Sequence, residues 1–205
     1  MGKIITFANQ KGGSGKTTLS VNLAVLWSNS QYRVAVVDGD NQKSLIYWFE
    51  ARKKYYGEGN IGIDIYPYES STIIESVKKI KRKYDFIIID SPPSITFDTI
   101  QILQSTDRVY VPVLPSPIDL MATIPFLNLV KQQRKKATII LNRVLPRAKL
   151  TDAMILRLRY AGAKIARSRI SSKVIFAETY SIGRGVIDIN VTSDVSREIS
   201  KKKHN

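Results

Sequence analysis

The chain has 205 residues, of which 43% are hydrophobic and 24% are charged, a balance typical of folded globular proteins and unlike that of disordered or multi-pass membrane proteins. It contains no cysteine, which excludes disulfides, thiolate metal sites, iron–sulfur clusters and thiol nucleophiles. The net charge is +15, and beyond residue 130 there are 18 basic and 5 acidic residues. The C-terminal third is therefore suited to bind a polyanion, with nucleic acid as the first candidate and an anionic membrane as the second.

Short runs rich in Ile and Val alternate with longer amphipathic segments along the chain. The predicted strands are residues 3–8, 33–37, 61–66, 86–89, 108–113, 138–141 and 164–170. The predicted helices are residues 17–30, 44–55, 71–83, 98–105, 120–134, 151–161 and 193–203. This alternation predicts a doubly wound α/β fold, with a mostly parallel sheet flanked by helices. No repeat or Pro/Gly linker divides the chain, so we expect a single domain over residues 1–205.

A glycine-rich segment, residues 10–18 with the sequence QKGGSGKTT, lies between the first predicted strand and the first predicted helix. Glycines let backbone N–H groups converge on phosphate oxygens, and the helix N-terminus adds partial positive charge. Lys16 is placed to reach the β and γ phosphates of a bound nucleotide, and the Thr17 hydroxyl is placed to ligate Mg²⁺. The predicted nucleotide contacts are Gly12, Gly13, Ser14, Gly15, Lys16, Thr17 and Thr18.

This segment departs from the standard phosphate loop at two positions. Gln10 stands where the first glycine would be, and Lys11 adds a second lysine before the glycines. One lysine serves the bound nucleotide, and a buried unpaired ammonium is unfavourable. We therefore expect Lys11 to neutralise a phosphate across a subunit interface.

The segment 11–17 resembles the deviant Walker A motif of the ParA/MinD ATPases, which are P-loop NTPases. The runs FANQ at 7–10, VVDGDNQ at 36–42 and DFIIIDSPPS at 85–94 resemble the ParA branch, and the small size is similar to that of plasmid-type, ParF-like partition proteins. The resemblance implies that Lys11 and Lys16 act catalytically, with Lys11 reaching the partner's nucleotide in an ATP-sandwich dimer. It also implies a ParB- or ParG-like centromere-binding partner.

Three aspartates follow predicted strands at the expected site. Asp90 ends an apolar strand, so we expect it to hold Mg²⁺ at the carboxyl edge of the sheet. Asp38 and Asp40 follow the second strand, and we expect only one of them to face the γ-phosphate. By resemblance Asp40 positions the attacking water, and Asp38 belongs to the surroundings of the metal; the alternative for Asp38 is a turn or helix-capping aspartate. No glutamine or histidine stands out as a water activator, so we expect slow hydrolysis accelerated by a partner.

Two further positions are candidates near the nucleotide. Asn142 follows the sixth predicted strand, where an amide could read adenine or simply form a turn. The segment 115–120 resembles the family's segment after the fifth strand, and we expect Asp119 to be its helix N-cap, with a turn or an interface role as alternatives.

The basic residues of the C-terminal third have no helix-turn-helix, zinc finger or aromatic stacking pattern beside them. Non-specific contact with the duplex backbone is therefore the better interpretation, although a solvated basic surface remains an alternative. The segment 176–185 is similar to a stretch where ParA proteins carry DNA-binding arginines. The predicted DNA contacts are Arg167, Arg169, Lys173, Arg184 and Arg197, and His204 in the tail is not expected to bind metal.

We therefore expect an ATP- and Mg²⁺-dependent homodimer that partitions a plasmid or chromosome in the cytoplasm, associated with the nucleoid. A MinD- or MipZ-like regulator of division-site placement is one alternative. The last predicted helix offers only Val195 and Ile199 as apolar positions, which predicts docking onto the protein and no stable membrane association. A P-loop kinase or ligase of a small molecule is the second alternative.

Overall fold

The computed structural model describes residues 2–40, 42–57, 59, 61–67, 73–145, 149–160 and 162–200. The strands are β1 (Lys3–Phe7), β2 (Val34–Asp38), β3 (Ile63–Pro67), β4 (Phe86–Asp90), β5 (Arg108–Val113), β6 (Ala137–Leu141) and β7 (Lys164–Ile165). The helices are α1 (Lys16–Asn29), α2 (Ser44–Tyr56), α3 (Ile73–Ile80), α4 (Phe97–Ser105), α5 (Pro117–Gln132), α6 (Lys149–Tyr160), α7 (Ile175–Ser181) and α8 (Asp194–Ser200), with a 3₁₀ turn at Val186–Asp188.

The described strands form one parallel sheet in the order β3-β2-β4-β1-β5-β6-β7. Parallel pairing places the carboxyl ends of all these strands at one edge of the sheet. The segments that follow the neighbouring strands β1 and β4 run in opposite directions along the sheet, which opens a crevice between them at this edge. Asp90 pairs in register with both Phe7 of β1 and Asp38 of β2. The phosphate loop and two of the predicted carboxylates therefore meet at this edge, as the predicted doubly wound fold requires.

Alternate strand side chains enter two hydrophobic layers. Ile5, Val36 and Ile88 join the layer that contains α1, α2, the 3₁₀ turn and α8. Ile4 and Ile87 point to the opposite layer, which is completed by α3, α4, α5 and α6. Because helices cover both faces, these strands are apolar on both sides.

Most predicted boundaries agree with the structure to within three residues. The predicted strand 164–170 is wrong beyond Ile165, since only isolated backbone bonds continue along β6, such as the one from Ile170 N to Leu141 O at 2.9 Å. The prediction missed α7, whose seven residues form about two turns, too few for a clear periodic pattern. The last helix is described only to Ser200, so His204 and the lysines at 201–203 lie outside the described residues.

The expected N-cap at Asp119 is also wrong. Helix α5 begins at Pro117, and its N-cap is Ser116, whose hydroxyl accepts the amide hydrogen of Asp119 at 3.2 Å. A proline in the first turn is favourable because its missing N–H would have no partner there. In the part of the chain that the structure describes, no helix has the length and apolarity needed to cross a bilayer.

Candidate functional site

The phosphate loop connects the central strand β1 to α1. Gly13 and Gly15 have φ angles of 73° and 95°, in the left-handed region that favours glycine. A Cβ atom on Gly15 would also lie 2.1 Å from the Asn142 side-chain nitrogen, whereas one on Gly12 or Gly13 would meet no described atom within 4 Å. The loop is therefore tightly held on its inner side and open on its outer side, as a cradle for phosphate must be.

Lys16 and Asp90 form the buried, charged centre of the site. Lys16 is 6% exposed, and its ammonium donates to the backbone oxygen of Lys11 at 3.3 Å. Burial lowers the pKa of Lys16, while the carboxylates of Asp90 and Asp40 oppose this shift. Burial raises the pKa of Asp90 to about 7, opposed by the Thr17 hydroxyl and the Lys16 charge. A bound phosphate would offset the desolvation of the Lys16 ammonium, and a bound cation would offset that of the Asp90 carboxylate.

Asp90 accepts hydrogen bonds from two hydroxyls of α1. Thr17 donates to Asp90 Oδ2 at 2.6 Å, so two of the predicted metal-binding side chains are in contact. Ser20 donates to Asp90 Oδ1 at 3.2 Å. This contact was not predicted from the sequence, although Ser20 lies three residues after Thr17 and therefore on the same face of the helix. Thr17 and Asp90 supply hard oxygen ligands of the kind Mg²⁺ prefers, so these residues fit a metal shared with the nucleotide's phosphates.

Asp38 and Asp40 have different surroundings. Asp38 is 4% exposed, and its two oxygens accept the backbone amides of Asp40 and Ile46, each at 3.2 Å. These are the contacts of a turn- and helix-capping aspartate, the alternative considered for Asp38, and burial raises its pKa. Asp40 accepts the Gln42 amide at 3.0 Å through Oδ1 and lines a cavity with Lys16 and Thr17. Only Asp40 is therefore exposed to the phosphate side.

Lys11 has a counter-charge within the chain, so the premise that its ammonium is unpaired in a single subunit is wrong. Its ammonium lies 2.8 Å from Asp119 Oδ2, where the side chain of Lys11 is 35% exposed and that of Asp119 is 2% exposed. Ser116 also donates to Asp119 Oδ2. Asp119 Oδ1 is buried without a hydrogen-bond partner among the described residues. The sequence could not reveal this pair, because 108 residues separate its members.

Two adjoining cavities surround the loop. The smaller, about 240 Å³, is lined by the glycines of the loop, Lys16, Asp40 and Pro93. The larger, about 570 Å³, is lined by Asn142, Phe176 and Tyr180, and both cavities share Thr17, Thr18, Ser44 and Arg143. Ser14 Oγ is buried in the same loop without a partner among the described residues. A polyphosphate in the smaller cavity and a nucleoside in the larger one fit this arrangement.

Asn142 is 5% exposed, and its amide nitrogen donates to the Ser14 backbone oxygen at 2.8 Å. To donate to adenine it would first lose this contact with the phosphate loop. Sequence reasoning missed Phe176 and Tyr180, which α7 brings to the larger cavity. It also missed Glu198, which accepts both the amide and the hydroxyl of Ser171 at the cavity wall, at 2.9 and 3.0 Å.

The residues predicted to contact DNA differ in how exposed and how engaged with other residues their side chains are. Arg167, Lys173 and Arg197 are exposed, and Arg169 is half-exposed beside Asp152 at 3.2 Å. Arg184 instead donates to the Tyr55 hydroxyl at 3.1 Å and to the Asp188 backbone oxygen, and its guanidinium stacks on the Tyr55 ring. Arg184 therefore joins α2 to the C-terminal segment, and its guanidinium is already occupied.

Comparison with known proteins agrees with this geometry. The chain is 28% identical over 191 residues to the maintenance of carboxysome distribution protein A of Halothiobacillus neapolitanus, covering 90% of this chain and 87% of that protein. It is 27% identical over 230 residues to the sporulation initiation inhibitor protein Soj of Bacillus subtilis, covering 91% of each. Its fold is similar to that of apo McdA from Cyanothece, with a TM-score of 0.84 at 19% identity over 99% of this chain and 98% of that one.

The family model described as the CobQ/CobB/MinD/ParA nucleotide-binding domain matches residues 5–186, from the first strand to the 3₁₀ turn. This range contains the phosphate loop, all three aspartates and both cavities. The predicted resemblance is confirmed: the chain belongs to the CobQ/CobB/MinD/ParA family of nucleotide-binding domains, among its ParA/MinD-type ATPases.

Proposed function

We propose that this chain is a Mg²⁺-dependent ATPase whose ATP-bound form dimerises, binds duplex DNA without sequence preference and positions a cargo together with a partner protein. The observation that carries the proposal is the different placement of two lysines in one loop. Lys16 is buried within the electrostatic influence of Asp90 and Asp40, whereas Lys11 is half-exposed and paired with Asp119. A single nucleotide needs only Lys16, which leaves Lys11 for a second one.

Helix α5 supports the subunit interface in this proposal. Asp119, the partner of Lys11, lies between the exposed apolar residues Ile118 and Met121, which are 71% and 74% exposed. A second copy of the chain would cover these side chains, and exposed apolar clusters are typical of such surfaces. The phosphate of the partner's ATP would replace Asp119 as the counter-charge of Lys11, so ATP and dimerisation become linked.

The chain's own residues divide the chemistry among them. Lys16 binds the β and γ phosphates, and Thr17 with Asp90 would hold Mg²⁺, which supplies neutralisation of phosphate charge. Asp40 Oδ1 is occupied by the Gln42 amide, so Oδ2 is the oxygen available to orient a water. The described residues that line the smaller cavity include no imidazole and no side-chain amide that could assist Asp40 in activating water. A single carboxylate oxygen suits slow hydrolysis that a partner accelerates.

The DNA surface rests on the exposed basic residues of the C-terminal third. Arg167, Arg169, Lys173 and Arg197 can reach a phosphate backbone, and dimerisation doubles their number. DNA binding would place the protein in the cytoplasm on the nucleoid. Within α8, Val195 and Ile199 are buried in the core beside α1, so these apolar positions are not available to a membrane in a MinD-like role.

The cargo has two candidates. A plasmid or chromosome with a ParB- or ParG-like centromere-binding protein is the first, supported by the ParA-like motifs. A protein compartment is the second, favoured by the 28% identity to a carboxysome distribution protein across 90% of this chain. DNA-stimulated ATP turnover without a small-molecule phosphoryl acceptor would separate both from a kinase or ligase.

The decisive experiment is sedimentation velocity with ADP and with a non-hydrolysable ATP analogue. We expect the wild type to dimerise only with the ATP analogue, and Lys11→Ala to bind nucleotide yet remain monomeric. Lys131→Ala, at an exposed lysine further along α5, is the matched control and should dimerise normally. A Lys11→Ala protein that dimerises like the wild type would contradict the proposal.

A further inference from the structure

The hydroxyl of Tyr180 connects α7 to the first turn of α2. It donates to the backbone oxygen of Ser44 at 2.6 Å, and the ring lines the larger cavity beside Thr17 and Thr18. Ser44 lines both cavities. Tyr180 therefore touches the wall of the nucleoside cavity at one end and the start of α2 at the other.

The start of α2 is hydrogen-bonded to Asp40 and to Asp38. The Lys43 amide donates to the Asp40 backbone oxygen at 2.9 Å, and Lys43 itself has a φ angle of 53°. The Ile46 amide donates to Asp38 Oδ2 at 3.2 Å. These two hydrogen bonds tie the start of α2 to both aspartates, so a shift of Ser44 would disturb the position of Asp40.

The remainder of α2 is held independently of Tyr180. The Trp48 indole donates to the Arg184 backbone oxygen at 3.2 Å. Arg52, buried, donates to the Gly183 oxygen at 3.0 Å and forms an ion pair with Asp188 at 2.9 Å. These contacts fasten the middle of the helix, so removing the Tyr180 hydroxyl would loosen only its first turn.

The surroundings keep the Tyr180 hydroxyl in its donating form. Burial raises its pKa above the ordinary value, and the negative charges of Asp90 and Asp38 raise it further. The donor is therefore present throughout the working pH range. The hydroxyl's described hydrogen bond is to Ser44, so its influence on Asp40 passes through the start of α2.

We propose that Tyr180 is a positioning residue for ATP hydrolysis: its hydroxyl holds the first turn of α2, and thereby Asp40, at the distance from Lys16 that the reaction needs. This inference rests on the proposed function, in which Asp40 orients the attacking water. It also links the filling of the nucleoside cavity to the placement of the Asp40 loop, because one side chain borders both.

The test compares Tyr180→Phe with Tyr66→Phe, which removes a hydroxyl bonded to Tyr84 at 2.8 Å on the edge strand β3. For Tyr180→Phe we expect kcat to fall about two- to tenfold, the equivalent of one neutral hydrogen bond, while the Kd of a fluorescent ATP analogue changes less than about twofold. Amide exchange at residues 42–46 should become faster in the nucleotide-bound state. Tyr66→Phe should change none of these quantities.

Wild-type kcat and wild-type exchange in Tyr180→Phe would overturn the inference, as would a loss confined to nucleotide affinity. Asp40→Ala, measured in parallel, separates this failure from that of the proposed function. If Asp40→Ala is impaired and Tyr180→Phe is not, only the role of Tyr180 is wrong. If Asp40→Ala hydrolyses ATP normally, the proposed chemistry fails and the inference fails with it.

Discussion

Replacing Asp90 by asparagine should stabilise the nucleotide-free protein at neutral and alkaline pH. The Asp90 carboxyl is 1% exposed, and burial raises its pKa from 3.8 to about 7. At 1.36 kcal/mol for each tenfold change in proton affinity, this difference corresponds to about 4 kcal/mol of unfolding free energy. The asparagine side chain would be uncharged, of the same size, and able to accept the Thr17 hydroxyl through its amide oxygen.

The sign of the pH dependence follows from proton binding. Between pH 4 and 7, roughly, the unfolded chain has lost the Asp90 proton and the folded protein retains it, so wild-type stability falls as pH rises through this window. Above pH 7 the full penalty is present. The advantage of Asp90→Asn should therefore grow from near zero at about pH 4 to at most about 4 kcal/mol above pH 7.

Urea unfolding at a series of pH values, without nucleotide and with a chelator, measures this difference. The buried indoles of Trp27 and Trp48 provide the fluorescence signal. Asp152→Asn, at an exposed aspartate, is the control and should keep the wild-type pH profile. Saturating Mg-ATP should reverse the order, because in the proposed function an ionised Asp90 holds the metal. Parallel pH profiles for the wild type and Asp90→Asn would refute the reasoning.

Two further predictions concern turnover and DNA. Asp40→Ala should retain ATP binding and dimerisation while kcat falls about a hundredfold or more, because orienting the water matters in the transition state. Single-turnover kinetics would measure this loss, and Glu50→Ala on α2 is the control. Charge reversal at Arg167, Arg169 and Lys173 should weaken binding to all duplex sequences and reduce the salt slope by about 0.9 per lost phosphate contact, measured by fluorescence anisotropy. Arg184 is left intact there because it supports α2. Sequence-specific or salt-insensitive binding would exclude backbone contact.

The local features of this protein could be predicted from its sequence. The phosphate loop needs only contiguous residues, and its position between a strand and a helix is visible in the hydrophobic pattern. Asp90 ends a fully apolar strand, and that is enough to place it at the carboxyl edge of a parallel sheet. In both cases, residues adjacent in the chain carry the whole signal.

Only the tertiary structure decided which distant side chains meet these local features. Asp119 neutralises Lys11 because β5 lies beside β1 in the sheet, which brings the start of α5 to the phosphate loop. Tyr180 reaches Ser44 because the short helix α7 packs on α2, and Arg184 is occupied for the same reason. Sequence periodicity reports which face of a helix is buried but not which element covers it, so strand order and helix packing alone determine these contacts.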